Sequence, residues 1–98
     1  MLKDSGKNNF RPDLYLVARI LYSLAEEGSS NRSNLSVKTG LAYDRLVNYL
    51  SWMEDKNLVT NDNGIISITL EGMRSYGKLV NWIMEYVGKL NFPKRDRK

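Results

Sequence analysis

The stretch "LVTNDNGIISIT", residues 58–69, has a period unlike that of the sequence on either side of it. It is rich in β-branched residues and is interrupted at Asn63-Gly64. Asn and Gly both accept positive φ, so this pair is the strongest short signal for a two-residue hairpin turn between strands. A lone hairpin is marginal in water. Its apolar face has to be covered by helices, and the sequence on both sides supplies them.

Pro12 suits a first helical turn, where its missing N–H costs nothing. Leu14, Val17, Ile20, Leu21 and Leu24 then recur at helical spacing, which predicts an amphipathic helix to about Glu27. Gly28 and the polar run "SSNR" end it. Ser33 is placed to cap a short second helix over residues 34–39, with Leu35 and Val37 as its apolar positions. Gly40 follows, where a helix exit needs positive φ. A third helix begins near Ala42 and is predicted to bury Tyr43, Leu46, Leu50 and Met53. After the hairpin, Thr69 can cap a last helix, with Glu71 in its first turn. Helix, helix, turn, helix, hairpin, helix is the order of a winged helix-turn-helix, an α+β fold that is mostly α. The layout is a flexible basic arm at 1–11, the winged-helix domain at 12–69, a long C-terminal helix at 70–92 and a basic tail at 93–98.

The last helix carries more apolar surface than one small domain needs. Met73, Tyr76, Val80, Ile83, Val87 and Leu90 keep the alternating three- and four-residue spacing of a coiled-coil seam. Leu79, Trp82 and Tyr86 widen the stripe on one side, and a helix lying on its own domain requires a narrower one. The expectation is a homodimer joined through this helix; the alternative is a helix folded onto its own core.

Composition removes several function classes. Ninety-eight residues make one modest domain. Cysteine and histidine are absent, which excludes thiol chemistry, disulfides, imidazole catalysis and the usual structural zinc site. Glu26-Glu27 and Glu54-Asp55 are neighbours on helices and diverge rather than converge. No enzyme activity, cofactor or metal is expected. No apolar run approaches the roughly 18 residues of a membrane span, and the opening "MLKDSGKNNF" lacks the apolar middle of a signal peptide, so the cytoplasm is the expected location. The net charge is +4. It resides at the ends: residues 1–11 carry +2 and the last five residues +3, leaving −1 for residues 12–93.

At "GLAYDRLVNYLSWMEDKNLV" the spacing resembles the archaeal winged-helix proteins of about ten kilodaltons, which pair through a long C-terminal coiled coil. Gly40, Leu41, Ala42, Tyr43, Leu46, Tyr49, Leu50, Leu58 and Val59 fall on that family's frame, and Ile68, Thr69 and Gly72 match part of its wing exit. The likeness extends over roughly residues 12–91. It implies double-stranded DNA as partner, gripped by the third helix and wing, and an antiparallel pairing of the last helices. Asn57 stands where the family usually has Gly, and tolerates the same backbone.

The third helix offers Asp44, Arg45, Asn48, Ser51 and Trp52 on the arc opposite Leu46 and Leu50, and residues from Ala42 at its start to Ser51 are expected to face the major groove. Early positions of such a helix reach base edges. Arg45 can pair with guanine, Asn48 with adenine, and Asp44 can accept from cytosine. Asp44 could equally pair locally with Arg45 or Lys38. Arg32, Ser33 and Lys38 could hold phosphates without reading sequence. The wing contributes Asn61 and Asn63 but has Asp62 and no Lys or Arg. Trp52, toward the exposed arc, is expected to pack against the N-terminal arm or a partner's last helix. A transcriptional regulator or chromatin-like protein is the leading reading. The rival is a winged helix used for protein–protein interaction, which suits the near-neutral core and acidic wing.

Overall fold

The computed structural model describes residues 10–86 and 88. Asn63 and Gly64 take the positive φ values that the hairpin requires, 54° and 87°. They join β2 (Val59–Asp62) to β3 (Ile65–Ile68), paired antiparallel from Val59 opposite Ile68 to Asp62 opposite Ile65. A further strand was not foreseen. β1 (Ser30–Asn31) lies on the other side of β3, giving the order β1-β3-β2. Two residues are too few to display a period, so "SSNR" reads as a plain helix stop.

The helices are α1 (Leu14–Glu27), α2 (Arg32–Thr39), α3 (Tyr43–Asp55) and α4 (Leu70–Tyr86). Asp13 caps α1 by accepting the Tyr15 amide at 2.9 Å. α2 begins two residues before the expected start, and its cap is Asn31, not Ser33. Asn31 is held extended, as a capping residue must be, and its side-chain oxygen accepts the Asn34 amide at 2.8 Å. Gly40 closes α2 in the left-handed region (φ 76°) and donates its amide to the Ser36 carbonyl. Thr69 caps α4 as expected, its hydroxyl accepting the Gly72 amide at 2.8 Å. Asn57 takes φ 63°, the conformation for which Gly is the commoner choice. At the far end, Gly88 (φ 98°) donates to the Ile83 carbonyl five residues back, a bond that closes a helix. Val87 and Leu90 of the predicted seam lie outside the described residues.

The core joins Val17, Ile20, Leu21 and Leu24 of α1 to Leu35, Leu46, Tyr49, Leu50 and Met53, with Val59 and Ile66 from the sheet. Each such side chain contributes roughly 1.5–3 kcal/mol on leaving water. Three expected core residues are outside it: Leu14 is 51% exposed, Val37 81% and Tyr43 48%. Leu14 and Tyr43 are the first residues of their helices. Val37 sits two places from both Leu35 and Thr39, which take the buried face of α2, so it points away from them. The Thr39 hydroxyl is satisfied there by the Leu35 carbonyl at 2.8 Å.

α4 packs on α1 rather than standing free. Ile83, 4% exposed, meets Ala18, and Tyr76 and Leu79 pack at the same place. Burial, then Glu26, then Tyr22 raise the Tyr76 phenol above its ordinary pKa, so the ring stays neutral between the helices. At the start of α4, a Cβ on Gly72 would overlap the Leu58 carbonyl and the Ile68 side chain, whereas one on Gly77 would meet open space. Gly72→Ala is therefore expected to lower stability by about 1–3 kcal/mol, while Gly77→Ala raises it by about 1 kcal/mol. The urea midpoints of the two variants check this; a shared sign would contradict the packing described.

Candidate nucleic-acid interface

The connection between α2 and α3 is held at several points. Gly40 turns the chain, the Ser36 hydroxyl donates to the Leu41 carbonyl at 2.5 Å, and Leu41 is buried. Arg19 of α1 donates to the Thr39 carbonyl at 3.1 Å, which ties the end of α2 to the first helix. Its guanidinium also lies over the Tyr15 ring, 5.7 Å from the centroid. The result is a fixed platform for the first turn of α3.

Ala42 occupies the capping position of α3 but has no side chain to offer its free amides. Asp44 is in the first turn, where a carboxylate stabilises the positive end of the helix. This gives Asp44 a structural role that needs no partner molecule. Neither local partner open to Asp44 engages it: Arg45 makes no ion pair among the described residues, and Lys38 lies 4.0 Å from the Glu27 carboxylate. Ala42, Asp44, Arg45, Asn48 and Ser51 are all exposed, and among the described residues Asp44, Arg45, Asn48 and Ser51 have no side-chain hydrogen bond or ion pair.

The remaining predicted contacts are less free. Arg32 is half-buried, and its Nε is enclosed without a partner. Ser33 is exposed in the first turn of α2. In the wing, the Asn61 side-chain oxygen accepts the Gly64 amide at 2.9 Å, so it holds the turn. Asn63 is exposed but is itself a turn residue with positive φ. Asp62 is exposed and leaves the wing acidic.

Trp52 is half-buried rather than exposed, because Phe10 packs on it from the N-terminal side. Phe10 also meets Tyr49 edge to face, with centroids 5.1 Å apart, and the Tyr49 hydroxyl accepts the Asp13 amide at 2.9 Å. Lys56 was not singled out from the sequence, yet its ammonium lies 5.9 Å from the centre of the Trp52 ring. The signal was local, since Trp52 and Lys56 are four residues apart and neighbours on a helix surface, whereas the Phe10–Trp52 contact spans some forty residues and leaves no local trace.

Of the predicted dimer residues, Ile83 and Tyr76 are taken by α1 of the same chain, in place of the partner contact expected for them. Met73 is exposed and Val80 half-exposed. Gly77 and Met84 are exposed too and, at roughly 100° per residue, share a stripe with Met73 and Val80. No helix among the described residues is long and apolar enough to cross a membrane, and no group of three or more acidic residues there could hold a metal ion.

A family model described as winged helix-turn-helix matches residues 11–86. No curated protein matches the sequence. If Asp44 supports the helix end, Asp44→Asn should lower the stability of the free protein by about 0.3–1 kcal/mol. Chemical denaturation at low salt measures it; an unchanged or higher midpoint would remove the structural role.

Proposed function

We propose, from the premise that this chain belongs to the winged helix-turn-helix family, that it binds double-stranded DNA with the N-terminal half of α3 in the major groove. The observation that carries the reading is the exposed, unpaired pair Arg45 and Asn48 on a helix whose entry is fixed by Gly40, Ser36 and Arg19. Guanine and adenine edges suit these two side chains. Lys38 and Ser33 would serve phosphates, with Lys38 first leaving Glu27. The wing, lacking a cation, would contribute through Asn61 and Asn63 amides and not by charge. A regulatory or chromatin-like role in transcription follows from a small module of this kind.

The protein acts, on this reading, as a homodimer through α4. Support comes from the apolar stripe of exposed Met73, Gly77 and Met84 with half-exposed Val80, which lies beside the face that α1 covers. A partner helix would seat there rather than on Ile83. Exposed apolar surface of this kind is a usual mark of association.

Two outcomes test the reading. Arg45→Ala is expected to cost about 1–3 kcal/mol on a selected duplex at one base position, with little loss on random DNA. Equal losses on both would make Arg45 a phosphate contact, and failure of the wild type to bind any duplex at low salt would favour the protein-interaction alternative. For assembly, Val80→Asp with Met84→Asp is expected to give folded monomers in sedimentation, whereas Ile83→Asp unfolds the chain. A wild type that sediments as a monomer at micromolar concentration would contradict the dimer.

A further inference from the structure

The solvent face of α3 is divided by charge. At roughly 100° per residue, Arg45, Trp52 and Lys56 fall within an arc of roughly 40° along one edge. Asp44, Glu54 and Asp55 are exposed on the other side of the outward face. Phe10 sits on the basic edge, against Trp52 and Tyr49. Its neighbour Arg11 is exposed, and that chain segment carries a net +2 over residues 1–11.

We propose that Arg11 and Lys56 form a phosphate-binding edge of α3, anchored by Phe10 on Trp52, that grips one strand of the duplex. The inference rests on the DNA reading above and adds a docking direction to it. A helix lying squarely in the groove would present Glu54 and Asp55 to the phosphates of the opposite strand, and like charges there oppose binding. Leaning toward the strand held by Arg11 and Lys56 relieves that repulsion. Ala42, Arg45 and Asn48 then enter the groove while the acidic C-terminal side of α3 lifts out of it. Lys56 suits this role as a point charge, because its ammonium is held 5.9 Å from the centre of the Trp52 ring while the residue stays exposed. Phe10, packed on the core, fixes the backbone beside Arg11, so that cation comes to the edge already placed.

The test measures how affinity for a random duplex depends on salt, for Arg11→Ala, Lys56→Ala and a control, Lys78→Ala, whose exposed side chain lies on α4. Each lost phosphate contact should lower the slope of log affinity against log salt by about 0.9, which is about threefold of the change between roughly 50 and 200 mM. That loss is expected for Arg11→Ala and for Lys56→Ala, with Lys78→Ala matching the wild type. An unchanged slope in either of the first two, or an equal loss in the control, overturns the edge while leaving DNA binding intact. A wild type that binds no duplex overturns both. All three positions are on the surface, and circular dichroism verifies that the variants fold.

Discussion

Burial of Leu46, Leu50 and Met53 fixes the rotation of α3, and the rest of the molecule follows from that rotation. All three are almost wholly enclosed. Replacing a buried Leu or Met of this kind by Ala typically costs about 2–5 kcal/mol, a large share of the roughly 5–15 kcal/mol that stabilises a small domain. The helix cannot turn about its axis without exposing them. Asp44, Arg45, Asn48 and Ser51 are thereby forced outward, and Tyr49 inward, where it holds Phe10 and the Asp13 amide. The outward face is a consequence of the inward one.

Charge then separates what this face can do from what a strongly basic DNA binder does. Residues 12–93 carry −1, and α3 bears acidic residues beside its cations. Affinity for nucleic acid from such a domain has to come from a few well-placed cations and from side chains that read base edges. A broad positive field is not available to it. Arg19 is not among those cations, because it closes the end of α2, and Lys38 is turned toward Glu27. Arg45 and Lys56 remain outward.

Much of the fold was legible because its determinants are local. Asn63-Gly64 required a turn, Gly40 a helix exit, Thr69 a cap, and the three- and four-residue spacing of Leu46, Leu50 and Met53 a buried stripe; each behaves accordingly. What was missed depends on contacts between distant residues. Ser33 and Asn31 are both good caps by chemistry, and the choice is made by β1, which pairs Asn31 with Ile65 and holds it extended. Val37 and Tyr43 have apolar character without a core position, because Leu35, Thr39 and Leu41 fill the space first. In the candidate site, Arg45 and Asn48 were legible from helix phase alone. For Trp52 the N-terminal arm and a partner's last helix were both open, and Phe10 of the arm is what packs on it; the Lys56 cation over that ring was overlooked although it is only four residues away. The α4 seam was read as one surface, yet Ile83 and Tyr76 turn to α1 while Met73 faces solvent and Val80 is half-exposed.

The claim that the outward face of α3 meets DNA is tested most directly by amide chemical-shift mapping of the isotope-labelled protein during titration with a short duplex. The account predicts saturable shifts concentrated in residues 42–51, with smaller ones at Arg11, Lys56 and the wing turn. Shifts confined to the exposed stripe of α4, or none that saturate on α3 at low salt, would contradict it.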